Sequence, residues 1–299
     1  MSTGVTDLAP APPADTRPGS PLSDLDVLPD LDVLRDALRS LGNVVVAFSG
    51  GADSAFLARV ATDTLGADRV LCATAVSPSL APEELGDCRA LAAEWHLRHV
   101  EVATDELADT AYSINDGSRC YHCKSSLMAA LGPVSGLAGP GATVVLGVNL
   151  DDLSDHRPGQ AAAAERGAVF PLVTAGFTKA DVRAWSRQLG LRTWDKPAAA
   201  CLASRVPYGT PVTFTTLDAV ARAESGLRAL GFRQLRVRHY DDTARIEVPA
   251  DELALVVDAR EAVCAAVHAA GYRYVTLDLD GFRSGNLNDS LTTITEATQ

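Results

Sequence analysis

The feature that most constrains the fold is a buried strand that runs directly into a glycine-rich turn. Residues 43–48 read NVVVAF, a continuous β-branched run typical of a strand in a parallel sheet. The turn SGGADS follows at 49–54, and the helical pattern after it ends at Gly66. A strand, a tight turn and a helix in this order predict the first unit of an α/β fold.

Strands and helices continue to alternate after this unit. The pattern predicts further strands at 69–76, 97–102 and 142–148, and helices at 31–41, 81–95 and 122–132. Right-handed βαβ connections then give a doubly wound, mainly parallel α/β sheet. Ligands of such sheets bind beyond the carboxyl ends of the strands, where the 49–54 turn lies.

The pattern changes after Pro207. It predicts a helix at 215–230, a hairpin of strands 232–240 and 244–248, a helical stretch at 251–270 and a strand at 272–279. These elements indicate a smaller C-terminal α+β domain. The predicted division of the chain is a disordered tail at 1–29, the α/β domain at 30–206, the α+β domain at 207–284 and a tail at 285–299.

Composition and charge exclude several classes of protein. The formal net charge is −12, which argues against broad electrostatic binding to nucleic acid. No apolar run is long enough to predict a membrane span, and residues 1–22 lack the apolar core of a secretory signal. The six cysteines are too scattered for a disulfide framework. We therefore expect a cytoplasmic protein with reduced thiols.

The 49–54 turn has the chemistry of an anion site. Gly50 and Gly51 permit positive φ and close backbone approach, so successive N–H groups can surround an anion. The N-terminus of the next helix adds positive potential, and Ser49 and Ser54 add hydroxyl donors. The turn has neither the Walker A lysine nor the dinucleotide G-x-G-x-x-G pattern. The alternative is a tight βα turn that binds nothing.

Three cysteines are candidate ligands or nucleophiles. Cys120 and Cys123, at the start of a predicted helix, can direct two thiolates at one metal, but a redox dithiol, half a zinc site or coincidence also fits. Cys201, in a Pro/Ala/Gly loop, could add a third thiolate, and three cysteines around a cubane leave one iron open. Neighbouring Lys196 and Arg205 would favour the Cys201 thiolate. A loop cysteine without a role is the alternative.

Two other segments carry polar groups in informative places. The loop 147–159 follows a predicted strand and fits a substrate or metal site, or else a solvated acidic loop. Arg236 and Arg238 share one face of a predicted strand. Two such guanidinium groups suit a phosphate, and the alternative is a solvated strand face paired with Glu247.

The turn SGGADS resembles the PP-loop of the ATP pyrophosphatase superfamily, which implies an adenine nucleotide alpha hydrolase-like domain. A wider resemblance runs from about Leu31 to Asn288. The segments RCYHCK, GVNLDDLSDHRPG, PLVTAGFTKADVR, CLASRVPYGT, LRVRHYDDTARIEV and LDLDGFRSGNLN, in this order, are similar to the LarE family of ATP-dependent sulfur transferases.

This resemblance implies a function and a set of partners. Family members adenylate a carboxylate of a pyridinium mononucleotide with ATP and Mg²⁺, and sulfur then displaces AMP to give a thiocarboxylate. The product becomes the nickel-pincer cofactor of lactate racemase. The resemblance implies a small-molecule substrate, a sulfide or other sulfur donor, and a homo-oligomer.

Site residues follow from the same resemblance. The implied nucleotide-binding residues are Ser49, Gly50, Gly51, Asp53 and Ser54, with Asp53 helping to hold magnesium and pyrophosphate. Lys124 would lie near the reacting groups. The implied substrate-binding residues are Asn149, Asp152, Arg157, Glu224, Arg236 and Arg238, of which the last three hold the phosphate end.

The sulfur source divides the LarE family. Some members sacrifice a cysteine at the position of Cys201, which becomes dehydroalanine. Others use three cysteines to hold a 4Fe–4S cluster whose open iron takes up sulfide. Because this chain has Cys120, Cys123 and Cys201, it resembles the second kind, and we expect a cluster.

Three other functions remain open at this stage. A PP-loop tRNA thiolase would use the same turn and a cluster, although a charge of −12 offers little RNA-binding surface. An ATP-dependent amide ligase would use the same adenylation without the cysteines. A non-enzymatic ATP-sensing or sulfur-carrier protein would bind ATP without turnover.

Overall fold

Four parallel strands form the sheet on which the N-terminal part of the chain is built. The computed structural model describes residues 28–153, 158–197 and 199–283. The strands are β1 (Val44–Ala47), β2 (Val70–Val76), β3 (His99–Ala103) and β4 (Thr143–Val145). Their order in the sheet is β3-β2-β1-β4, and every neighbouring pair is parallel. This order reverses direction between β1 and β4, which confirms the predicted doubly wound sheet.

Helices cover both faces of this sheet because alternate side chains of its strands point to opposite sides. Val44 and Val46 of β1 join one core, whereas Val45 joins the other. The helices are α1 (Leu31–Leu41), α2 (Ala52–Leu65), α3 (Pro82–Glu94), α4 (Thr110–Ser113), α5 (Arg119–Ser135), α6 (Pro158–Glu165), α7 (Pro171–Thr174) and α8 (Lys179–Gln188). The first core also takes side chains from α1, α2, α3 and α8, and the second takes them from α5 and α6.

A second sheet of three strands lies in the C-terminal part. Strands β5 and β6 form an antiparallel hairpin, and β7 pairs parallel to β6. These elements enclose a core of their own that includes Leu227, Val237 and Val267. The elements are α9 (Phe214–Ala229), β5 (Arg236–Tyr240), β6 (Thr243–Glu247), α10 (Leu253–Asp258), α11 (Arg260–Ala269) and β7 (Tyr274–Leu277). The boundary at residue 207 stays a prediction.

Some predicted elements differ from the observed ones. Helix α5 begins at Arg119 rather than at 122, so both cysteines of RCYHCK lie among its first five residues. Strand β4 ends at Val145 rather than at 148, because Gly147 turns away to contact the backbone of α2. The stretch 251–270 is two helices, since Ala259 leaves helical geometry with φ −90° and ψ 15°. Helices α4, α6, α7 and α8 were not predicted.

Several predictions lie outside the described residues: Arg157, most of the N-terminal tail 1–29 and the tail 285–299. Over the residues that are described, every helix is too short or too polar to cross a lipid bilayer.

Candidate functional site

The turn after β1 forms a cradle of backbone and hydroxyl groups. Gly50 has a φ of +67°, and a Cβ there would lie 2.9 Å from the Cys88 Sγ, so only glycine fits without displacement. The Ser49 N–H donates to Ser54 Oγ (3.2 Å), and the two serine hydroxyls lie 3.0 Å apart. Because the turn leads into the N-terminus of α2, unpaired first-turn N–H groups point at the same space. This arrangement suits an anion.

A carboxylate cluster lies beside the cradle. Asn149 Nδ2 donates to Asp53 Oδ1 (3.1 Å), and the Asn149 N–H donates to Asp152 Oδ2 (3.2 Å). Burial raises the pKa of Asp53 and the charge of Asp152 raises it further, whereas Lys179, the Asn149 hydrogen bond and Arg183 act to lower it. Two nearby carboxylates beside an anion cradle are the oxygen donors that a magnesium–phosphate group requires. The structure thus brings together three predicted site residues.

Two cations complete this end of the site. The N–H of Lys179, the first residue of α8, donates to Asp151 Oδ2 (2.6 Å), which anchors the helix start at the loop after β4. The charges of Lys179 and Arg183, one turn apart, both act on Asp53. Sequence reasoning assigned neither residue. The available signal was that Lys179 is one of only three lysines among 26 cationic residues.

Two glycines bring neighbouring chain segments into close contact around the cradle. A Cβ on Gly147 would lie 2.9 Å from the carbonyl carbon of Asp53 and from the Ser54 nitrogen. A Cβ on Gly159, in α6, would lie 2.8 Å from the carbonyl oxygen of Cys120 and from Lys124 Cγ. The loop after β4 and helix α6 therefore contact α2 and α5 through backbone, and Lys124 lies between α5 and α6.

The three cysteines lie in one neighbourhood. Cys120 and Cys201 are exposed and Cys123 is half-buried. Burial raises the pKa of Cys123 to about 12; the Lys124 charge opposes this shift, and the Cys201 and Cys120 charges add to it. Three thiols in one neighbourhood are the residue type that an iron–sulfur centre uses as ligands. Among residues 28–153, 158–197 and 199–283, no three metal-ligating side chains form a group that could hold an ion, so the cluster stays a prediction.

The two cations predicted to favour the Cys201 thiolate both have carboxylate partners. Lys196 Nζ contacts Glu84 Oε2 (2.9 Å) and Asp87 Oδ2 (2.5 Å) on α3. Arg205 Nε donates to Glu224 Oε1 (2.8 Å), and its NH1 group donates to the carbonyl oxygen of Ala200 (2.7 Å). Both residues anchor the loop that carries Cys201, and their ion pairs reduce the positive charge available to its sulfur.

Buried ion pairs connect this loop to the second sheet. Arg238 forms a two-pronged contact with Glu247, with Nε–Oε1 2.9 Å and NH2–Oε2 3.1 Å, and donates to the carbonyl oxygen of Ser204 (2.7 Å). The Val237 N–H donates to Glu224 Oε1 (3.1 Å). Glu224 and Glu247 are fully buried. The solvated strand face considered above is therefore wrong, although its pairing of Arg238 with Glu247 is present.

Arg236 differs from its neighbours. It is buried, yet it forms no ion pair with any described carboxylate; its contacts are the carbonyl oxygen of Arg283 (3.2 Å) and the ring of Phe282, whose centroid lies 4.5 Å from the guanidinium carbon. Burial, together with the charges of Arg205 and Arg238, lowers the pKa of Arg236 to about 10, although the charges of Glu247 and Glu224 act to raise it. A buried cation without an ion-pair partner among the described residues could accept an anionic group.

The parallel sheet, with the glycine-rich turn at its reversal point, defines a doubly wound α/β protein. No protein-family model matches the chain. The chain is 40% identical over 256 residues to the pyridinium-3,5-bisthiocarboxylic acid mononucleotide synthase of Lactiplantibacillus plantarum, covering 86% of this chain and 92% of that protein. It is also 46% identical over 264 residues to an uncharacterized protein of Synechocystis, covering 88% and 98% of the two chains. An uncharacterized protein of Methanocaldococcus jannaschii is 25% identical over 241 residues, covering 81% and 91%. The chain therefore belongs to the LarE-type pyridinium-3,5-bisthiocarboxylic acid mononucleotide synthase family.

Proposed function

We propose that this chain is an ATP-dependent sulfur transferase that converts a carboxylate of a pyridinium mononucleotide into a thiocarboxylate during nickel-pincer cofactor biosynthesis. The observation that carries the proposal is that the Cys201 loop lies beside Arg236, a buried arginine without an ion-pair partner among the described residues. The same chain has the glycine-rich turn at 49–54 at the carboxyl edge of its parallel sheet. The relationship to the Lactiplantibacillus synthase supports the same substrate class.

In the first step, ATP phosphates lie on residues 49–54 and an oxygen of the substrate carboxylate attacks the α-phosphorus. The bond to pyrophosphate breaks, and an acyl-adenylate forms. Asp53 and Asp152 supply the oxygen ligands for Mg²⁺, which would neutralise the phosphate charge. Lys179 and Arg183 add positive charge on the same side, where pyrophosphate develops negative charge as it leaves.

The substrate's phosphate end binds at Arg236. Arg205 and Arg238 are already paired with Glu224 and Glu247, so they orient the loop and the strand. Arg236 is the buried cation of this group whose charge is available for the phosphate. The phosphate thereby holds the pyridinium ring at a fixed distance from the cysteine loop.

In the second step, the sulfur of a sulfide ion attacks the acyl carbon, and the bond to AMP breaks to leave a thiocarboxylate. Cys120, Cys123 and Cys201 would hold a 4Fe–4S cluster, which when bound supplies an open iron for that sulfide. If Cys201 is the donor instead, its thiolate displaces AMP to form a thioester. Loss of the Cys201 α-proton then breaks its Cβ–S bond and leaves dehydroalanine. Lys124, in the second turn of α5, would face the developing negative charge in either case.

We propose that the protein acts in the cytoplasm as a homo-oligomer. Its substrate is a small molecule, and its co-substrate is sulfide or another sulfur donor. A tRNA thiolase or an amide ligase would share the first step. They differ in the acceptor, and an amide ligase also has no need of the three cysteines.

The test measures AMP and thiocarboxylate formed by anaerobically prepared protein with ATP, magnesium, sulfide and the biscarboxylated pyridinium mononucleotide. We expect substrate-dependent AMP in excess of enzyme, with iron and acid-labile sulfide present in the protein. AMP limited to about one equivalent, with Cys201 lighter by the mass of hydrogen sulfide, would assign the sulfur to Cys201. The absence of substrate-dependent AMP would overturn the acceptor, and tRNA or ammonia would be tested next.

A further inference from the structure

Asn115, just before α5, binds the chain segment that follows Cys201. Its side chain is fully buried, and its backbone has a φ of +60°, which is uncommon for a residue other than glycine. Its Nδ2 donates to the carbonyl oxygens of Pro207 and Thr210, both at 2.8 Å, and its own carbonyl accepts the Gly209 N–H at 2.9 Å. One amide side chain thus closes the turn at 207–210.

Arg119, one helical turn later, continues these contacts toward Cys201. It is only 3% exposed, and its NH1 group donates to Asn115 Oδ1 (2.5 Å) and to the carbonyl oxygen of Ala203 (2.9 Å). Its guanidinium carbon lies 5.3 Å from the ring centroid of Tyr208. Within the described residues, Arg119 forms no ion pair with a carboxylate.

These contacts join the two segments that carry the cysteines. Arg119 directly precedes Cys120, and Ala203 lies two residues after Cys201. From the other side, Leu202 donates its N–H to the carbonyl of Ser79 at 2.9 Å. Asn115 and Arg119 therefore supply hydrogen bonds that join the segment after Cys201 to the start of α5. Arg205 and Arg238 bind carbonyl groups of the same loop from the side of the second sheet.

The charge of Arg119 indicates more than packing. Burying an unpaired guanidinium is unfavourable, and an apolar side chain would fill the same volume at lower cost. The hydrogen bonds of Arg119 to Asn115 and Ala203 and its contact with the Tyr208 ring instead link the start of α5 to the segment after Cys201.

We propose that Asn115 and Arg119 form a positioning pair that holds the Cys201 loop against the first turn of α5. The structural part of this inference stands on the contacts alone. Its consequence for sulfur transfer rests on the proposed function. Neither residue contacts the 49–54 turn, so adenylation does not depend on the pair.

A bifunctional thiol reagent tests the structural part without any activity measurement. Dibromobimane becomes strongly fluorescent only when it bridges two nearby thiols, and peptide mapping identifies the pair. In metal-free, reduced protein we expect a bridge between Cys201 and Cys120 or Cys123. Because both contacts of the loop weaken, Arg119→Met and Asn115→Asp should lower the bridging rate about tenfold, and Arg119→Lys should recover part of it.

The control is Asn43→Asp. Asn43 Nδ2 also donates to a loop carbonyl, that of Pro140 at 3.0 Å, but at the opposite end of β1. We expect its bridging rate to equal that of the unmodified protein. Thermal melting confirms that each variant is folded, and Arg119→Lys keeps the test valid if Arg119→Met does not fold. Unchanged bridging in folded Arg119→Lys, Arg119→Met and Asn115→Asp proteins would overturn the inference.

The ratio of thiocarboxylate to AMP tests the consequence. In Arg119→Met we expect AMP release to continue, because water hydrolyses the waiting acyl-adenylate, while thiocarboxylate falls about tenfold. A proportional loss of both products would mean that Arg119 is merely structural. Failure of the proposed function itself would look different, since the unmodified protein would then form no substrate-dependent AMP while its thiols still bridged.

Discussion

The glycine-rich turn at 49–54 and the cysteine loop are built by different means. The turn at 49–54 depends on backbone: positive φ at Gly50 and the close approach of Gly147. The loop around Cys201 depends on side chains, with Arg119, Arg205 and Arg238 each donating to one of its carbonyl groups. A site made of backbone follows from a short glycine motif, whereas a site made of side chains needs partners from distant segments. The two should therefore respond to different substitutions.

The largest effect should come from a carboxylate beneath the loop. Glu224→Gln removes the charge that pairs with Arg205 (2.8 Å) and Arg228 (2.8 Å). Breaking such a buried pair costs about 3–5 kcal/mol of unfolding free energy. Urea denaturation measures this, with Glu261→Gln as the control because Glu261 is exposed. A loss of less than about 1 kcal/mol would show that the pair contributes no more than a surface ion pair.

The turn should be sensitive to one methyl group. Gly147→Ala places a Cβ 2.9 Å from the backbone of Asp53 and Ser54, so the turn must shift. We expect AMP formation to fall about 100-fold, as misplacement of reacting groups by about 1 Å does, while the dibromobimane bridge is unaffected. Gly86→Ala is the control: Gly86 lies in α3 with open space around it, and the change should stabilise the helix by about 1 kcal/mol. Equal activity of the two variants would contradict a backbone-built site.

Arg236 should separate substrate binding from ATP binding. Arg236→Met removes the buried cation assigned to the substrate phosphate, so we expect the KM for the mononucleotide to rise about tenfold or more. The KM for ATP should stay constant. Arg233→Met is the control, since Arg233 is exposed on the connection before β5. A parallel rise in both KM values would place Arg236 at the nucleotide.

The smallest effect concerns the stability of the metal-free protein. The folded-state pKa of Asp53 is raised, chiefly by burial, so the folded protein binds this proton more tightly than the unfolded chain does. The stabilisation from this group is present below its unfolded pKa and is lost as pH rises through its folded pKa. Asp53→Asn should therefore raise the melting temperature at neutral pH, by about 2–4 °C per kcal/mol, and this gain should vanish in acid. A gain independent of pH would contradict the assignment.

Hydrophobic pattern and turn chemistry were enough to predict the main elements. The β-branched run before SGGADS gave the central strand, and the alternation of elements gave the parallel order. Helix α6 was missed because its sequence PGQAAAAE has no polar face against which an apolar stripe stands out. The helix start at Arg119 was missed although a local signal was present, since Asp116 Oδ1 accepts hydrogen bonds from the N–H (2.7 Å) and the hydroxyl (2.6 Å) of Ser118 just before it.

Parts of the candidate site were beyond sequence reasoning for a related reason. The family resemblance implied that Asn149 and Asp152 line the substrate cleft, and the structure brings them beside Asp53. The sequence did not show which of Arg236 and Arg238 lacks a carboxylate partner among the described residues, because the two alternate on one strand. Only the structure shows that Glu247 pairs with Arg238. Asn115 carried no signal either, since its role depends on a positive φ and on carbonyl groups 92 and 95 residues away.

The shared scaffold under the cysteine loop has a consequence for anyone who wishes to redesign the enzyme. Arg205 and Arg238 each bind a buried glutamate with one edge and a loop carbonyl with the other. Replacing this loop with that of a relative would change the cysteines available for sulfur transfer. The new loop would be held by the same arginine–glutamate pairs only if Glu224 and Glu247 were exchanged with it. The unit to be exchanged is therefore discontinuous in sequence. It consists of the Cys201 loop, the face of α9 that carries Glu224 and the β5–β6 hairpin that carries Glu247.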